Sequence, residues 1–321
     1  MDFAHFMRTA GRFLTDPAKR FNYLAKLGIY DRMPDEEYLT RIFYNELGYP
    51  LDLQDPKTFN EKQQWLKING FYPIYTDYAD KVKVKKLVAG ILGEEYIIPT
   101  YAVWERAEDI DFDSLPDRFV MKCNHTSSVG ICICKDKNTL DREAVRRMMR
   151  KALKTDYFSY RREKVYRDIE RRILAEEMLF GEDGAEPADY KVYVFNGKSG
   201  LIEMDIDRFT NHRRNFYDRE WNYVPFAQSS CFATDPGYRV PDKVKEQGTK
   251  LFELAEKVTA GIGTNPPYLR VDFYIAQDKI LFGEVTFYDA AGLERFQPEE
   301  YDRKLGDMID LTNARAPEAD A

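Results

Sequence analysis

The amino-acid sequence predicts an α+β protein with mainly antiparallel strands. Apolar residues follow helical spacing through 1–95, and strand-like segments and hairpins predominate after about residue 96. Hydrophobic residues make up 44% of the chain, enough for a sizeable core, which excludes global disorder. We therefore expect four parts: a mainly helical region (1–95), a central lobe (96–178), a C-terminal lobe (179–311) and a disordered tail (312–321).

The first 14 residues predict an amphipathic helix with basic flanks. Its apolar positions are spaced three or four residues apart: Phe3, Phe6, Met7, Ala10, Phe13 and Leu14. Two interpretations stay open. The helix packs on its own domain, or it makes reversible peripheral contact with an anionic membrane surface or a partner.

Three more helices are predicted in the first region. One lies within 35–49, where apolar residues share one face. Another begins after Thr58, because Glu61 three residues later completes a capping box. The third is a single helix over 76–92 that ends at a glycine.

The two lobes are predicted from strand patterns and turn residues. An Asn196-Gly197 pair marks a hairpin turn within 190–209. Helices are expected at 139–172, which is very basic, and at 242–262. The remaining strand segments are 94–104, the end of 110–125, 128–136, 172–179 and a second hairpin at 267–296.

Charge and cysteine content narrow the class of protein. The net charge is −7, which disfavours a nucleic-acid partner. The four cysteines form no CxxC pair, and we interpret them as reduced thiols of a cytoplasmic protein. They are Cys123, Cys132, Cys134 and Cys231. No run of about 20 apolar residues predicts a membrane-spanning helix.

Two acidic residues in the second hairpin are the most informative feature. If the turn lies near 276–279, Asp272 falls opposite Gly283 or Glu284, within otherwise apolar strands. Two facing carboxylates repel each other unless a proton or a cation lies between them. A hard cation such as Mg²⁺, with phosphate oxygens as further ligands, accepts such a pair. The alternative is two exposed acids on a solvated hairpin face.

Two further segments have the composition of a phosphate site. Lys122 precedes a small polar loop, 124–130, whose backbone N–H groups and hydroxyls suit phosphate oxygens, although a plain hairpin is equally consistent. In the first hairpin, every second residue of one strand is acidic, so the acids share one face, and a lysine lies near them on the partner strand. This pattern suits a phosphate and metal site, and it equally suits an ordinary solvent-exposed sheet surface. These residues are Glu203, Asp205, Asp207 and Lys191, with Arg208, Arg213 and Arg214 after them.

Taken together, these segments resemble the ATP-grasp superfamily. More narrowly, they resemble its TupA-type family, which is found in bacterial teichuronopeptide and polysaccharide gene clusters. The resemblance covers about 50–310 and rests on DPKTFNEKQQWLK, DYADKVKVKKLV, FVMKCNHTSSVGICICKDK, LAEEML, DYKVYVFNGK with DIDR, RVDFY, and FGEVTFYDAAGLERFQPEEYDRKLG.

The resemblance implies an ATP-grasp fold, in which two α+β lobes hold ATP, and a role for each matched position. The nucleotide-binding residues would be Lys81, Lys122, the loop residues Asn124, Ser127, Ser128 and Gly130, and the interlobe hinge residues Glu176, Glu177 and Leu179. The magnesium ligands would be Asp272 and Glu284. The catalytic cations would be Lys191, Arg208 and Arg270.

One position departs from the pattern. Many ATP-grasp enzymes have asparagine two residues after the metal-binding glutamate, and this chain has Thr286 there. Because a hydroxyl can ligate Mg²⁺ or hold a water, one or two metal ions remain open.

The family implies an ATP- and Mg²⁺-dependent carboxylate–amine ligase that acts through an acylphosphate. Its substrates would be a uronic acid of a surface polysaccharide or its precursor and an amino acid or amine. A sugar or small-molecule kinase on the same fold and a non-catalytic scaffold are the alternatives.

Overall fold

The computed structural model of the chain describes residues 16–180, 187–206 and 211–317. The helix predicted at 1–14 and the candidates Asp207 and Arg208 lie outside these residues. The helices are α1 (Pro17–Lys26), α2 (Asp35–Leu47), α3 (Phe59–Asn69), α4 (Ile74–Ala79), α5 (Lys83–Leu92), α6 (Arg142–Leu153), α7 (Asp242–Gly261) and α8 (Glu300–Asp307). The strands are β1 (Thr100–Trp104), β2 (Phe119–Cys123), β3 (Cys132–Cys134), β4 (Ile173–Glu176), β5 (Ala188–Phe195), β6 (Lys198–Ile206), β7 (Arg213–Tyr217), β8 (Tyr223–Val224), β9 (Ala227–Gln228), β10 (Tyr268–Ala276), β11 (Lys279–Thr286) and β12 (Phe296–Gln297).

The prediction of one helix over 76–92 is wrong, because the chain breaks between α4 and α5. Asp80 has an extended backbone there. Its carboxylate accepts hydrogen bonds from the backbone N–H of Val82 at 2.8 Å and from the side-chain amide of Asn124 at 2.9 Å. A short acidic side chain competes in this way with helical backbone bonds. The break places Lys81 outside both helices, where its backbone N–H donates to the carbonyl of Asn124 at 3.1 Å.

The prediction of helix throughout 139–172 is also wrong after α6. Residues 154–172 form turns and one short 3₁₀ segment. Arg162 has a left-handed backbone, and its guanidinium donates to the carbonyl of Tyr30 at 2.7 Å and lies over the ring of Tyr38. These contacts with the N-terminal helices hold the segment, so tertiary packing overrides the local helical pattern.

The four-stranded antiparallel sheet has the order β1-β4-β2-β3. One face packs against α6 and buries Cys132 and Cys134, which confirms that these cysteines share a face. The other face carries Lys122 and Val120 of β2. Val120 pairs with Glu176 on one side and with Ile133 on the other, so these residues share that face. Ile133 is 45% exposed, so this face keeps an apolar surface that its own sheet does not cover.

The six-stranded antiparallel sheet has the order β11-β10-β5-β6-β7-β8, with α7 against its apolar face. Both predicted hairpins are confirmed. Asn196 and Gly197 have positive φ angles at the β5–β6 turn, and Gln277 and Asp278 have them at the β10–β11 turn. The second turn fixes the register of the acidic residues.

Residues 312–317, the first part of the tail expected to be disordered from 312 onward, are ordered. Ala314 is buried in the main core, and the backbone N–H of Ala316 donates to the carbonyl of Asn69 at 2.7 Å. Small residues bury little surface but fit closely against a helix end, which composition alone does not reveal.

Within the described ranges, no helix combines the length and apolarity that crossing a membrane requires.

Candidate functional site

The β10–β11 hairpin brings the two predicted metal-binding acids face to face. Asp272 pairs with Glu284 in the ladder, beside a β-bulge. Asp272 is 4% exposed, which excludes the alternative of two acids on a solvated face. The side chain of Glu284 is 31% exposed and contacts Lys81 at 3.0 Å.

Arg270 is the internal counter-ion of this acidic pair. Its guanidinium donates to both oxygens of Asp272 at 2.8 Å and to the hydroxyl of Thr286 at 3.3 Å. It lies 3.7 Å from Glu284 and also donates to Asp289. Thr286 therefore shares the guanidinium of Arg270 with Asp272.

The two facing acids differ in their pKa values. Burial raises the pKa of Asp272 to about 7; Arg270 opposes this shift, while Asp189 and Glu284 add to it. For Glu284, burial is outweighed by Lys81 and Arg270, with a further contribution from Lys122, and the pKa falls to about 2. The two facing carboxylates are thus shifted in opposite directions, the pKa of Asp272 upward and the pKa of Glu284 downward.

The predicted mixed charge on the sheet face is confirmed for Glu203, Asp205 and Lys191. The ammonium of Lys191 lies 2.8 Å from Glu203, 2.7 Å from Asp205 and 3.4 Å from Asp189. Arg214 contacts Glu203 and Asp205 at 2.8 Å each. Lys191 also pairs with Asp272 across the β5–β10 ladder, so the charged face continues to the acidic hairpin.

A tyrosine joins the two halves of this charged face. The hydroxyl of Tyr193 is 2.8 Å from Glu203 and 3.1 Å from Asp289. Asp289 in turn binds Arg270 and accepts from Gln228 at 3.2 Å. Tyr193 and Asp289 are not among the residues predicted from the sequence. Two features of the sequence could have indicated them: Tyr193 lies two residues after Lys191, on the same face of β5, and Asp289 follows shortly after the strand that carries Glu284.

The donor set at the hairpin fits Mg²⁺. Asp272, Glu284 and Thr286 offer hard oxygen ligands, and Mg²⁺ usually takes one or two carboxylates together with substrate phosphates. Three carboxylates, counting Asp289, face the two basic groups Arg270 and Lys81, which leaves negative charge for a cation. No cluster of three acidic, histidine or cysteine side chains arranged for a metal occurs among the residues described.

The four-stranded sheet contributes a second buried ionic group. Glu176 is 4% exposed and binds both Lys122 and Lys85, the latter at 2.8 Å. The two lysines lower the pKa of Glu176 despite its burial. Lys85, which the sequence analysis missed, also donates to the carbonyl of Ile98 at 2.8 Å. The ion pair with Glu176 therefore fixes the orientation of the Lys122 side chain.

The hinge candidates lie where the two sheets meet. The backbone N–H of Glu177 donates to the carbonyl of Pro99 at 2.9 Å. Leu179 packs against Ile98 and Leu281, and so connects the end of β4 to β11. These contacts place the hinge segment beside both sheets.

The polar loop at 124–130 divides into two parts. The side chain of Asn124 is fully buried and binds Asp80 and the backbone of 170–172, so it fastens the loop to its base. Ser128 and Gly130 have left-handed backbones farther along the loop. Burial raises the pKa of the Tyr157 hydroxyl, and the Ser127 hydroxyl and the charge of Lys81 oppose this shift.

The fold and the site together define an ATP-grasp protein. Residues 61–310 match the model of the family described as TupA-like ATPgrasp, and the chain belongs to that family. Comparison with curated protein sequences finds no match.

The chain is also similar to solved ligase structures at low identity. It shares 20% identity with the D-alanine–D-alanine ligase from Bacillus anthracis complexed with ATP, over 74% of this chain and 64% of that one, with a TM-score of 0.42. It therefore spans less than two thirds of that ligase. The ADP complex of purK, N5-carboxyaminoimidazole ribonucleotide synthetase, gives 12% identity, 71% and 50% coverage and a TM-score of 0.44. D-alanyl-alanine synthetase A from Vibrio cholerae O1 biovar eltor is 15% identical over 71% of this chain and 63% of that one, with a TM-score of 0.42.

Proposed function

We propose that this protein is an ATP- and Mg²⁺-dependent carboxylate–amine ligase that acts through an acylphosphate. The supporting observation is the buried Asp272 facing Glu284, with Lys81 and Arg270 as their counter-ions. Removing the negative charge of either acid, in Asp272→Asn or Glu284→Gln, should abolish Mg²⁺-dependent turnover while the fold is retained.

In this proposal ATP lies between the two sheets. The adenine ring contacts the apolar face around Ile133 and hydrogen-bonds the hinge at Glu176, Glu177 and Leu179. Lys81 and Lys122 neutralise the phosphates, and the loop residues Ser127, Ser128 and Gly130 close over them, while Asn124 fastens the base of the loop. The apolar, exposed Ile133 beside a buried lysine–glutamate pair supports this arrangement.

The proposed chemistry has two steps. A substrate carboxylate oxygen attacks the γ-phosphorus, the bond from that phosphorus to the bridging oxygen breaks, and ADP leaves. The amine nitrogen then attacks the acylphosphate carbonyl carbon, phosphate leaves with the electron pair of the broken C–O bond, and the amine loses a proton. Bound Mg²⁺ would supply neutralisation of phosphate charge.

The protein itself positions the reactants and offsets charge. We assign Lys191, Arg208 and Arg270 to the transferring phosphoryl group and the tetrahedral intermediate. Lys191 and Arg270 are each held by several carboxylates, so they are pre-oriented before substrate binds. Removing one such group should raise the barrier by about 3 kcal/mol.

The family context supports a uronic acid of a bacterial surface polysaccharide, or its precursor, as the carboxylate. The other substrate would be an amino acid or another amine. The test is phosphate release from ATP in a matrix of uronic-acid glycans and amines. Release that requires both partners supports the ligase, release with the sugar alone supports a sugar kinase, and no release together with no stabilisation by Mg·ATP supports a scaffold.

We further propose cytoplasmic location with peripheral contact at the inner face of the membrane. Leu27 and Ile29, at the end of α1, are 59% and 63% exposed and lie between the basic residues Lys26 and Arg32. Sedimentation with phosphatidylglycerol vesicles, but not with phosphatidylcholine vesicles, is the expected result. A Leu27→Ser, Ile29→Ser double variant should bind the anionic vesicles more weakly. Equal binding to both vesicle types would contradict the proposal.

A further inference from the structure

Helix α3 presents a row of polar side chains to the core, and the proposed chemistry does not use it. Asn60, Gln64 and Lys67 are spaced four and three residues apart, so they share one helix face. Their residues are between 0% and 1% exposed. A buried amide or ammonium is tolerated only with hydrogen-bond partners, and all three find them on one loop.

That loop follows the metal-binding strand. It comprises residues 289–294 and includes three consecutive residues with left-handed backbones, Ala290, Ala291 and Gly292. A non-glycine residue in this conformation costs about 1 kcal/mol or more and persists only where the surroundings hold it. We call 289–294 the left-handed loop.

Five hydrogen bonds from α3 hold the left-handed loop. Lys67 donates to the carbonyl of Ala291 at 2.7 Å. The amide of Gln64 donates to the carbonyls of Ala291 at 3.0 Å and Gly292 at 2.6 Å. Asn60 donates to the carbonyl of Glu294 at 2.7 Å and accepts from its backbone N–H at 3.0 Å. We call Asn60, Gln64 and Lys67 the α3 clamp.

The first residue of the loop connects the clamp to the site. Asp289 binds the Arg270 guanidinium, which also binds Asp272 and lies near Glu284. Asp289 thus draws part of the guanidinium away from the two proposed magnesium ligands. If Asp289 moved away, Arg270 would become a more complete counter-ion for Asp272 and Glu284, and a metal ion would compete with it for the same oxygens.

We propose that the α3 clamp consists of positioning residues, which keep Asp289 on Arg270, so that the guanidinium charge is shared with Asp289 and Mg²⁺ can compete with it for Asp272 and Glu284. This inference rests on the proposed Mg·ATP site. The clamp does not touch nucleotide or metal, so its effect should appear in how strongly Mg²⁺ improves ATP binding rather than in the binding of metal-free ATP.

The test compares two lysines of the same helix. Lys67→Met removes the bond to Ala291, together with the bonds to the carbonyl of Arg161 at 2.9 Å and to the side-chain oxygen of Gln64 at 3.1 Å. Lys62→Met is the matched control, because Lys62 donates to the carbonyls of Gly306 and Ile309 at 2.8 and 2.6 Å, away from the left-handed loop. The affinity for ATP is measured by calorimetry with excess EDTA and with excess Mg²⁺, and the melting temperature is recorded in parallel.

Both variants should lose thermal stability, but only Lys67→Met should reduce the Mg²⁺-induced gain in ATP affinity, by about tenfold. Gln64→Leu, which removes two uncharged donors to the loop and one acceptor for Lys67, should reduce it in the same direction and covers the case in which Lys67→Met does not fold. Asp289→Asn should reproduce the loss.

The outcomes separate the two proposals. A wild-type protein whose affinity for ATP does not change with Mg²⁺ contradicts the proposed function. A wild-type protein with a clear Mg²⁺ effect that is retained in Gln64→Leu and Lys67→Met, or lost equally in Lys62→Met, overturns the clamp alone.

Discussion

Replacing the buried acid of the hairpin should change the pH dependence of stability. The pKa of Asp272 is raised from 3.8 to about 7, so the folded state binds this proton more tightly than the unfolded state. Folding is therefore opposed when the group is ionised, by about 4 kcal/mol above pH 7 for a difference of about three pH units. This cost is absent below pH 3.8 and grows as the pH rises to 7.

The substitution Asp272→Asn removes this cost together with the charge. The stability of the variant relative to wild type should therefore rise by about 3 kcal/mol between pH 5 and pH 8. The assay is urea unfolding of both proteins in EDTA across this range. Saturating Mg·ATP should then stabilise wild type and not the variant, because the variant lacks a ligand for the metal.

An acid on the same sheet face provides the control. For Glu203, Lys191 and Arg214 outweigh burial and lower the pKa to about 2. Its stabilising contribution is therefore complete above pH 4.5 and is lost as the pH falls toward 2. Glu203→Gln should cost about 3 kcal/mol, nearly constant between pH 5 and pH 8. A flat difference for Asp272→Asn, or one that falls with rising pH, would refute the reasoning.

Three further outcomes are expected. Glu176→Gln leaves the half-buried Lys122 and Lys85 without their shared, buried carboxylate, and should cost about 3 kcal/mol in urea unfolding. Gly130→Ala should weaken ATP binding about tenfold by calorimetry, because a Cβ at its left-handed backbone would lie 2.3 Å from the Cβ of Ala152 and displace the loop. Burial raises the pKa of the Cys123 thiol to about 11, so mass spectrometry after iodoacetamide at pH 8 should find Cys123 modified only in unfolded protein. Rapid modification in the native state would contradict its burial.

Patterns that depend on neighbouring residues were predictable. The capping box at Thr58 forms, and the carboxylate of Glu61 accepts a hydrogen bond from the backbone N–H of Thr58 at 2.9 Å. The turn and the alternation of apolar residues predict that Asp272 lies opposite Gly283 or Glu284, and the β-bulge beside Asp272 decides for Glu284. Strand pairing across a short turn leaves few registers, and a slip by one residue would bury the wrong face.

Patterns that depend on distant contacts were not predictable. The basic segment after α6 has helical spacing, yet Arg162 holds it against the N-terminal helices in another conformation. The helix predicted over 76–92 breaks because Asp80 binds Asn124, which lies 44 residues away in sequence. Local propensity is worth tenths of a kcal/mol per residue, and buried polar contacts outweigh it.

The sequence by itself determined the α+β class and the two hairpins, and it narrowed the partner of Asp272 to Gly283 or Glu284, because these follow from periodicities of two or 3.6 residues and from turn chemistry. Only the tertiary structure decided which charges neutralise them. Arg270 shares its guanidinium between Asp272 and Asp289, and Lys67 on a helix more than 200 residues earlier holds the loop that carries Asp289. Those partners meet through packing of the whole chain, and the strength of a buried charge pair depends on burial and distance that no sequence spacing records.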